Sequence, residues 1–242
     1  MTRRWKAVGT HLLLSLLIIG MIATFAFSLW YPQGLWRIAS LDRLLVVMLT
    51  IDVIAGPLLT AIIYRPGKPG LKFDLGVIAL LQLAFLGYGL HTLWQARPIF
   101  LVATPDVLTV VFAAEVSDRD LAKGSRPEYR HRSLRGPVLV GTRMPDDPQA
   151  RSAIIKAFMA GGAGIERSPQ HYVPFEDVSG ALLQASKPVA AVHGIPRDAI
   201  LSTGLPATQL RYVPAASTRG SGIAILDART GRPIETLALE LD

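Results

Sequence analysis

The chain has 242 residues, half of them hydrophobic and only 18% charged, with a mean hydropathy of +0.37. Soluble domains carry about 25% charged residues, and a disordered chain would be charge-rich and apolar-poor, so disorder is excluded. The formal net charge of +7 points to nucleic acid or a membrane surface as partner. The absence of cysteine excludes disulfides, zinc–thiolate sites, iron–sulfur clusters and cysteine nucleophiles.

The apolar excess lies in the first 96 residues, in three charge gaps. Ala7 to Trp36 holds no charged residue, Leu44 to Tyr64 holds only Asp52, and Leu75 to Ala96 holds none. Crossing a hydrocarbon core of about 30 Å takes roughly 20 apolar residues at a rise of 1.5 Å. Three such segments in succession, each flanked by charge, predict membrane-spanning helices over about 7–31, 44–64 and 75–96 rather than buried helices of a soluble core. The first segment is preceded by the basic stretch Met1–Lys6 but is far longer than the roughly 7–15 residues of a signal-peptide core. Arg3-Arg4 is not followed by a twin-arginine pattern. It reads as an uncleaved anchor.

Orientation follows from Lys and Arg at the helix ends. Arg3, Arg4 and Lys6 precede the first span, and Arg65, Lys68 and Lys72 lie between the second and third. Only Arg37 and Arg43 lie between the first and second. The N-terminus and the 65–74 loop are therefore expected in the cytoplasm and residues 97–242 in the periplasm of a bacterial cell. Trp30, Tyr31, Trp36 and Trp94 are expected to form an aromatic belt at the outer interface. Residues 1–96 carry a net charge of +5 and residues 97–242 only +2. Much of the basicity is thus a topology signal. The densest basic stretch of the second half, Arg126, Arg130, His131, Arg132 and Arg135, reads as a solvated or headgroup-facing loop, and no nucleic-acid partner is expected.

An ionisable group near mid-membrane is costly and marks function by default. Asp52 stands about 18 Å from the cytoplasmic end of its helix, at the depth of Gly87 in the third span and near Gly20 in the first. Glycines let helix backbones approach closely. Gln82 and His91 flank Gly87. Three roles are open for Asp52: satisfied inside the bundle by Gln82, His91, Thr50 or backbone groups; gripping a partner transmembrane helix; or relaying protons or ions. Gly56-Pro57 follows one turn later and reads as a packing kink or a hinge. The candidate bundle or partner-helix contacts are Asp52, Gly56, Pro57, Gln82, Gly87 and His91.

Residues 97–242 suffice for one soluble domain. Strands are expected at Ile99–Ala103, Leu108–Val116 and Pro137–Thr142, and short helices at Ser117–Lys123, Gly180–Ser186 and Arg197–Ser202. A longer helix runs from Asp146-Asp147-Pro148 to Ala160, with Ile154, Ile155 and Phe158 as its apolar face. A terminal hairpin pairs Gly222–Asp227 with Ile234–Leu241. The class is three transmembrane helices followed by an α+β domain. No catalytic constellation emerges. Gly161-Gly162-Ala163-Gly164 is not a phosphate loop, Ser221 lacks a nucleophile-elbow pattern, and His131, His171 and His193 lack metal-ligand spacing. Asp146-Asp147 and Glu176-Asp177 read as helix-start carboxylates. Neither catalysis nor a metal or cofactor is expected.

The membrane half resembles the type IV pilin accessory proteins, the TfpX/TfpZ-type family. The matching stretches are Leu29-Trp30-Tyr31-Pro32, then Ile51-Asp52-Val53-Ile54-Ala55-Gly56-Pro57-Leu58-Leu59-Thr60. Leu71-Lys72-Phe73-Asp74-Leu75 follows, with Ala79-Leu80-Leu81-Gln82-Leu83 and Gly87-Tyr88-Gly89 in the third helix. Gln95-Ala96-Arg97-Pro98 and Val110-Val111-Phe112 complete the match, which covers roughly residues 5–120. In the family an Asp-Arg pair commonly follows the third helix, whereas here Asp106 is followed by Val107. The resemblance implies an inner-membrane protein that assists type IV pilin before or during assembly, with the major pilin, other pilus machinery and the lipid bilayer as partners. It implies no catalytic residues. The competing classes are a membrane enzyme or small transporter using Asp52 and His91, and a membrane-anchored periplasmic sensor.

Overall fold

The structure, a computed structural model, describes residues 3–162, 164–191 and 195–238. It divides into two units, Met1–Ser28 with Leu41–Gln95, and Leu29–Ser40 with Ala96–Asp242.

The first unit contains three long apolar helices. α1 (Arg3–Phe25) runs on through a π-helical turn, Ala26–Trp30. α2 (Leu41–Leu49), a π-helical segment (Thr50–Ala55) and α3 (Gly56–Ile63) form a second helix of 23 residues. α4 (Leu71–Ala96) is the third. All three are long and apolar enough to cross a membrane. The helices start earlier than the charge gaps predict because those gaps mark hydrocarbon thickness, not the end of helical winding. Lys72 and Asp74 lie in the first turn of α4, where Asp74 pairs with Lys68 at 2.6 Å. Ile19, Met48 and Val53 pack together with Ile22 and Leu86. Most other large apolar side chains point outward, the arrangement that lipid as solvent favours.

The second unit is α+β. Its strands are β1 (Pro98–Ala103), β2 (Leu108–Phe112), β3 (Val138–Thr142), β4 (Tyr172–Pro174), β5 (Lys187–Pro188), β6 (Leu210–Ala216), β7 (Ser221–Asp227) and β8 (Pro233–Leu237). They form one mixed sheet in the order β4-β3-β1-β2-β6-β7-β8, with β5 also on β6. β1 pairs antiparallel with β2 and parallel with β3, and β2 meets β6 in parallel only at Leu108 and Thr109. β6, β7 and β8 form an antiparallel meander. One core gathers Ile99, Phe100, Val111, Val140 and Tyr172, with the Phe100 and Tyr172 rings edge-to-face at 5.0 Å. A second gathers Val189, Leu210, Tyr212, Ile223, Ile225 and Leu237.

Local chemistry sets the helix starts. α5 (Asp118–Leu121) is capped by Ser117, whose hydroxyl accepts from the Asp120 amide at 3.2 Å. α6 (Pro148–Met159) is capped by Asp147, whose carboxylate accepts from the Gln149 and Ala150 amides at 3.2 and 3.0 Å. α7 (Ser179–Ala185) and α8 (Arg197–Leu201) are short. Some expectations are corrected. The strand from Leu108 ends at Phe112, because Glu115 turns back to accept the Phe112 amide at 2.7 Å. α6 buries no residue: Ile155 and Phe158 are exposed and Ile154 is only partly covered. The expected strand end at Leu241, and His193, lie outside the described residues.

The segment 29–40 is built into the second unit. The Trp30 indole donates to the Leu134 carbonyl at 3.0 Å, and the buried Tyr31 hydroxyl donates to the Ala96 carbonyl at 2.8 Å. Burial pushes the Tyr31 phenol well above its ordinary pKa, against the nearby Arg219 and Arg97 charges, so it stays a donor. The Ser217 hydroxyl donates to the Ile38 carbonyl at 2.6 Å. Arg37 pairs with Glu235 at 2.5 Å and donates to the Thr236 carbonyl at 3.0 Å. Trp30 and Tyr31, expected in an interfacial belt, are buried in protein instead.

Candidate functional site

The site lies within the helix bundle and begins with a fault in the second helix. In the π-helical segment the Gly56 amide donates to the carbonyl of Ile51, five residues back. The next donor in that register is the nitrogen of Pro57, which has no hydrogen. The Asp52 carbonyl is thereby left for another donor. Gln82 of α4 supplies it, its carboxamide nitrogen standing 3.2 Å from the Asp52 oxygen. That carboxamide occupies the space a Cβ would need at Gly56, so the close approach depends on glycine there. Four residues singled out in the sequence, Asp52, Gly56, Pro57 and Gln82, thus form one local device.

The Asp52 side chain is separate from that bond. The residue is 7% exposed and lines a cavity of about 600 Å³. Among the described residues its carboxyl group has no hydrogen-bonded or ion-paired partner. The cavity is walled by α1 from Ala7 to Ile19 and by α4 from Leu75 to Leu86, with Asp52 and Thr60 contributed by the second helix. Its polar lining includes Thr10, His11, Ser15 and Gln82. His11 Nδ1 and Thr60 Oγ1 share a hydrogen bond of 2.7 Å. The rest of the lining is aliphatic.

The other sequence candidates lie elsewhere. Gly87 is exposed, with open space where a Cβ would stand, and so is Gly20. The close approach on α4 is made at Gly89, against Met48. His91 is exposed and does not line the cavity. The Thr50 hydroxyl donates to the Val46 carbonyl of its own helix at 2.8 Å. His11, Ser15 and Thr60 were missed in the sequence. A signal existed: Ala7, His11, Ser15 and Ile19 recur every four residues, which places them on one helix face.

In the second unit the polar groups serve the fold. Arg132 donates to the carbonyls of Ala113 and Val116 at 3.1 and 2.6 Å and pairs with Asp118. The Arg130 guanidinium donates to the Gly124 carbonyl at 2.9 Å. Glu176 pairs with Arg232 at 2.6 Å, and Asp177 with Arg143 at 3.6 Å. No cluster of three metal-ligating side chains occurs among the described residues.

The fold and the bundle cavity define a membrane protein with three spanning-length helices and an α+β domain. The family "Fimbrial assembly protein FimB" matches residues 1–36. Two relatives from Dichelobacter nodosus are the fimbrial assembly proteins of serogroup I and serogroup E1. They are 30% and 29% identical over 189 residues, covering 76% of this chain and 72% of each relative. The fimbrial assembly protein of serogroups C1 and C2 of the same organism is 33% identical over 114 residues, 46% of this chain and 86% of that relative. No solved structure matches the chain. The chain belongs to the fimbrial assembly protein family.

Proposed function

We propose that this protein is a non-catalytic accessory factor of type IV pilus assembly that engages pilin in the bacterial inner membrane. The observation that carries this reading is the bundle cavity: an aliphatic hollow between spanning helices with a buried, unpaired carboxyl group on its wall. Type IV pilins wait in the membrane on a single apolar helix, which such a hollow suits. The names of the relatives support a role in fimbrial assembly, and the distribution of Lys and Arg supports a cytoplasmic N-terminus with the α+β domain in the periplasm, where it meets the pilin head. An enzyme or transporter built on Asp52 and His91 is not favoured, since Asp52 lines the cavity and His91 does not.

Deleting the gene tests the reading. Surface pili fall in number and return on expression of the full chain, and pilin copurifies with the full chain from detergent-solubilised membranes. Unchanged piliation with no copurifying pilin overturns it.

A further inference from the structure

We infer that the cavity seats one face of a partner transmembrane helix and that Asp52 selects that helix through a hydrogen-bonding side chain carried at its own depth. This rests on the pilus-assembly reading and names the chemistry its partner brings. Shape is the first argument. The cavity holds about 600 Å³ and its wall runs from Ala7 to Ile19 of α1 and from Leu75 to Leu86 of α4, about 18 Å at a rise of 1.5 Å per residue. It therefore receives the side chains on one face of a partner helix over about three turns, while the rest of the partner's circumference faces lipid. The second argument is the wall. A lipid acyl chain fills the aliphatic part but offers nothing to a carboxyl group, which then sits unsatisfied in hydrocarbon. Asp52 is over nine-tenths buried and faces the cavity without a partner among the described residues. Several neighbouring polar groups are already engaged: Thr10 with the Lys6 carbonyl, His11 with Thr60, and the Gln82 carboxamide nitrogen with the Asp52 backbone. Asp52 is thus the one carboxyl group on the described wall, and it has capacity to spare for an incoming side chain. The cavity supplies shape and apolar contact, and Asp52 supplies the requirement for a polar group at one level of the partner.

The experiment uses the full chain in native membranes with its pilin. A photoreactive residue is placed at Leu83, on the cavity wall, or at Leu80, which is exposed on α4 outside the lining. The Leu83 probe captures pilin through its transmembrane helix and the Leu80 probe does not. Asp52→Leu lowers capture about three- to ten-fold, the worth of one hydrogen bond in a membrane, and Asp52→Asn restores most of it. Ala79→Phe keeps Asp52 but fills the cavity, and it also abolishes capture. Immunoblots establish that each variant is present at the wild-type level. Unchanged capture by Asp52→Leu overturns the selection by Asp52 while leaving the assembly role intact. Pilin that copurifies but is never captured at Leu83 overturns the seat itself. Absence of both capture and copurification, with piliation unchanged on deleting the gene, removes the assembly reading with it.

Discussion

Gln82 on the third spanning helix gives the Asp52 carbonyl the hydrogen bond that Pro57 cannot, across 3.2 Å. The bond exists because two local choices coincide. π-helical winding from Thr50 to Ala55 shifts the donor for Asp52 to position 57, and position 57 is proline. In hydrocarbon an unpaired carbonyl has no water to turn to. Gln82→Leu is therefore expected to destabilise the bundle by about 0.6 kcal/mol, the average for hydrogen bonds between membrane helices, and by no more than about 1.7 kcal/mol, their maximum. Pro57→Ala makes Gln82 redundant, because the second helix then satisfies Asp52 internally in either the π or the α register. Reversible unfolding of the four proteins in detergent gives the coupling. Gln82→Leu should cost much less in the Pro57→Ala background, and strict additivity would refute this account.

The charge gaps and the strand and turn signals made the three spans, β1, β3, α5, α6 and the β7–β8 hairpin readable from the sequence. They did so because those features depend on neighbours in the chain. β6 was not readable, since Pro214 interrupts its alternation. The structure shows why proline is tolerated there. β5 pairs with β6 at Arg211 and Tyr212, β2 at Ala215 and Ala216, and Pro214 lies in the gap between them. Trp30 and Tyr31 were misread because an aromatic near a helix end has the same sequence signature in a headgroup layer as in a protein core. Their partners, Leu134 and Ala96, are 104 and 65 residues away. Within the bundle, Asp52, Gly56, Pro57 and Gln82 stood out as exceptions to an apolar background. Gly87-Tyr88-Gly89 reads as a close-packing stretch, but which of its glycines meets another helix depends on rotation about the helix axis: Gly89 meets Met48 and Gly87 has open space.

Arg37 and Glu235 fasten the segment 29–40 to the last strand described. Both side chains are largely covered, 34% and 20% exposed, so their pairing is screened less than a surface bridge. Arg37→Ala also removes the donor to the Thr236 carbonyl. It is expected to destabilise the second unit by about 1–2 kcal/mol, and Glu235→Gln by less because a neutral acceptor remains. Gly34→Ala should cost at least as much as Arg37→Ala. Gly34 has φ +71, and a Cβ there would meet the Glu235 and Arg37 side chains. Thermal unfolding of the detergent-solubilised chain, followed by tryptophan fluorescence, ranks the three. Gly34→Ala at wild-type stability would contradict the close packing.

Stability of the second unit is expected to fall with acid in two stages. Burial holds the His171 pKa below its ordinary value. Its contribution is therefore complete above about pH 6.5, the unfolded value, and is lost as pH drops through the folded one. Asp227 is held low by the Arg229 amide, which donates to it at 2.7 Å in the hairpin turn. Asp120 is held low by Lys123 and Ser117. Their contribution is complete above the ordinary carboxylate value of about 4 and is lost below it. Urea midpoints from pH 7.5 to 3 resolve the stages. His171→Asn should flatten the first and spare the second, Asp227→Asn should reduce the second alone, and a profile unaltered by either would refute these assignments.

The apolar side chains of α6 are expected to contribute little to folding. Phe158 and Met159 are 62% and 80% exposed, and no residue of the helix is buried. Phe158→Ser and Met159→Ser should shift the unfolding free energy by no more than about 0.5 kcal/mol, the range of substitutions that touch no core. Phe100→Ala is the contrast. Phe100 is fully buried and meets Tyr172 edge-to-face, so truncation removes both transfer energy and packing and should cost about 3–5 kcal/mol. The α6 pair isolates surface from core, because Asp147 holds the helix start through backbone amides that neither serine substitution disturbs. A loss above about 1.5 kcal/mol for Phe158→Ser would mean that this face of α6 is covered in the folded protein.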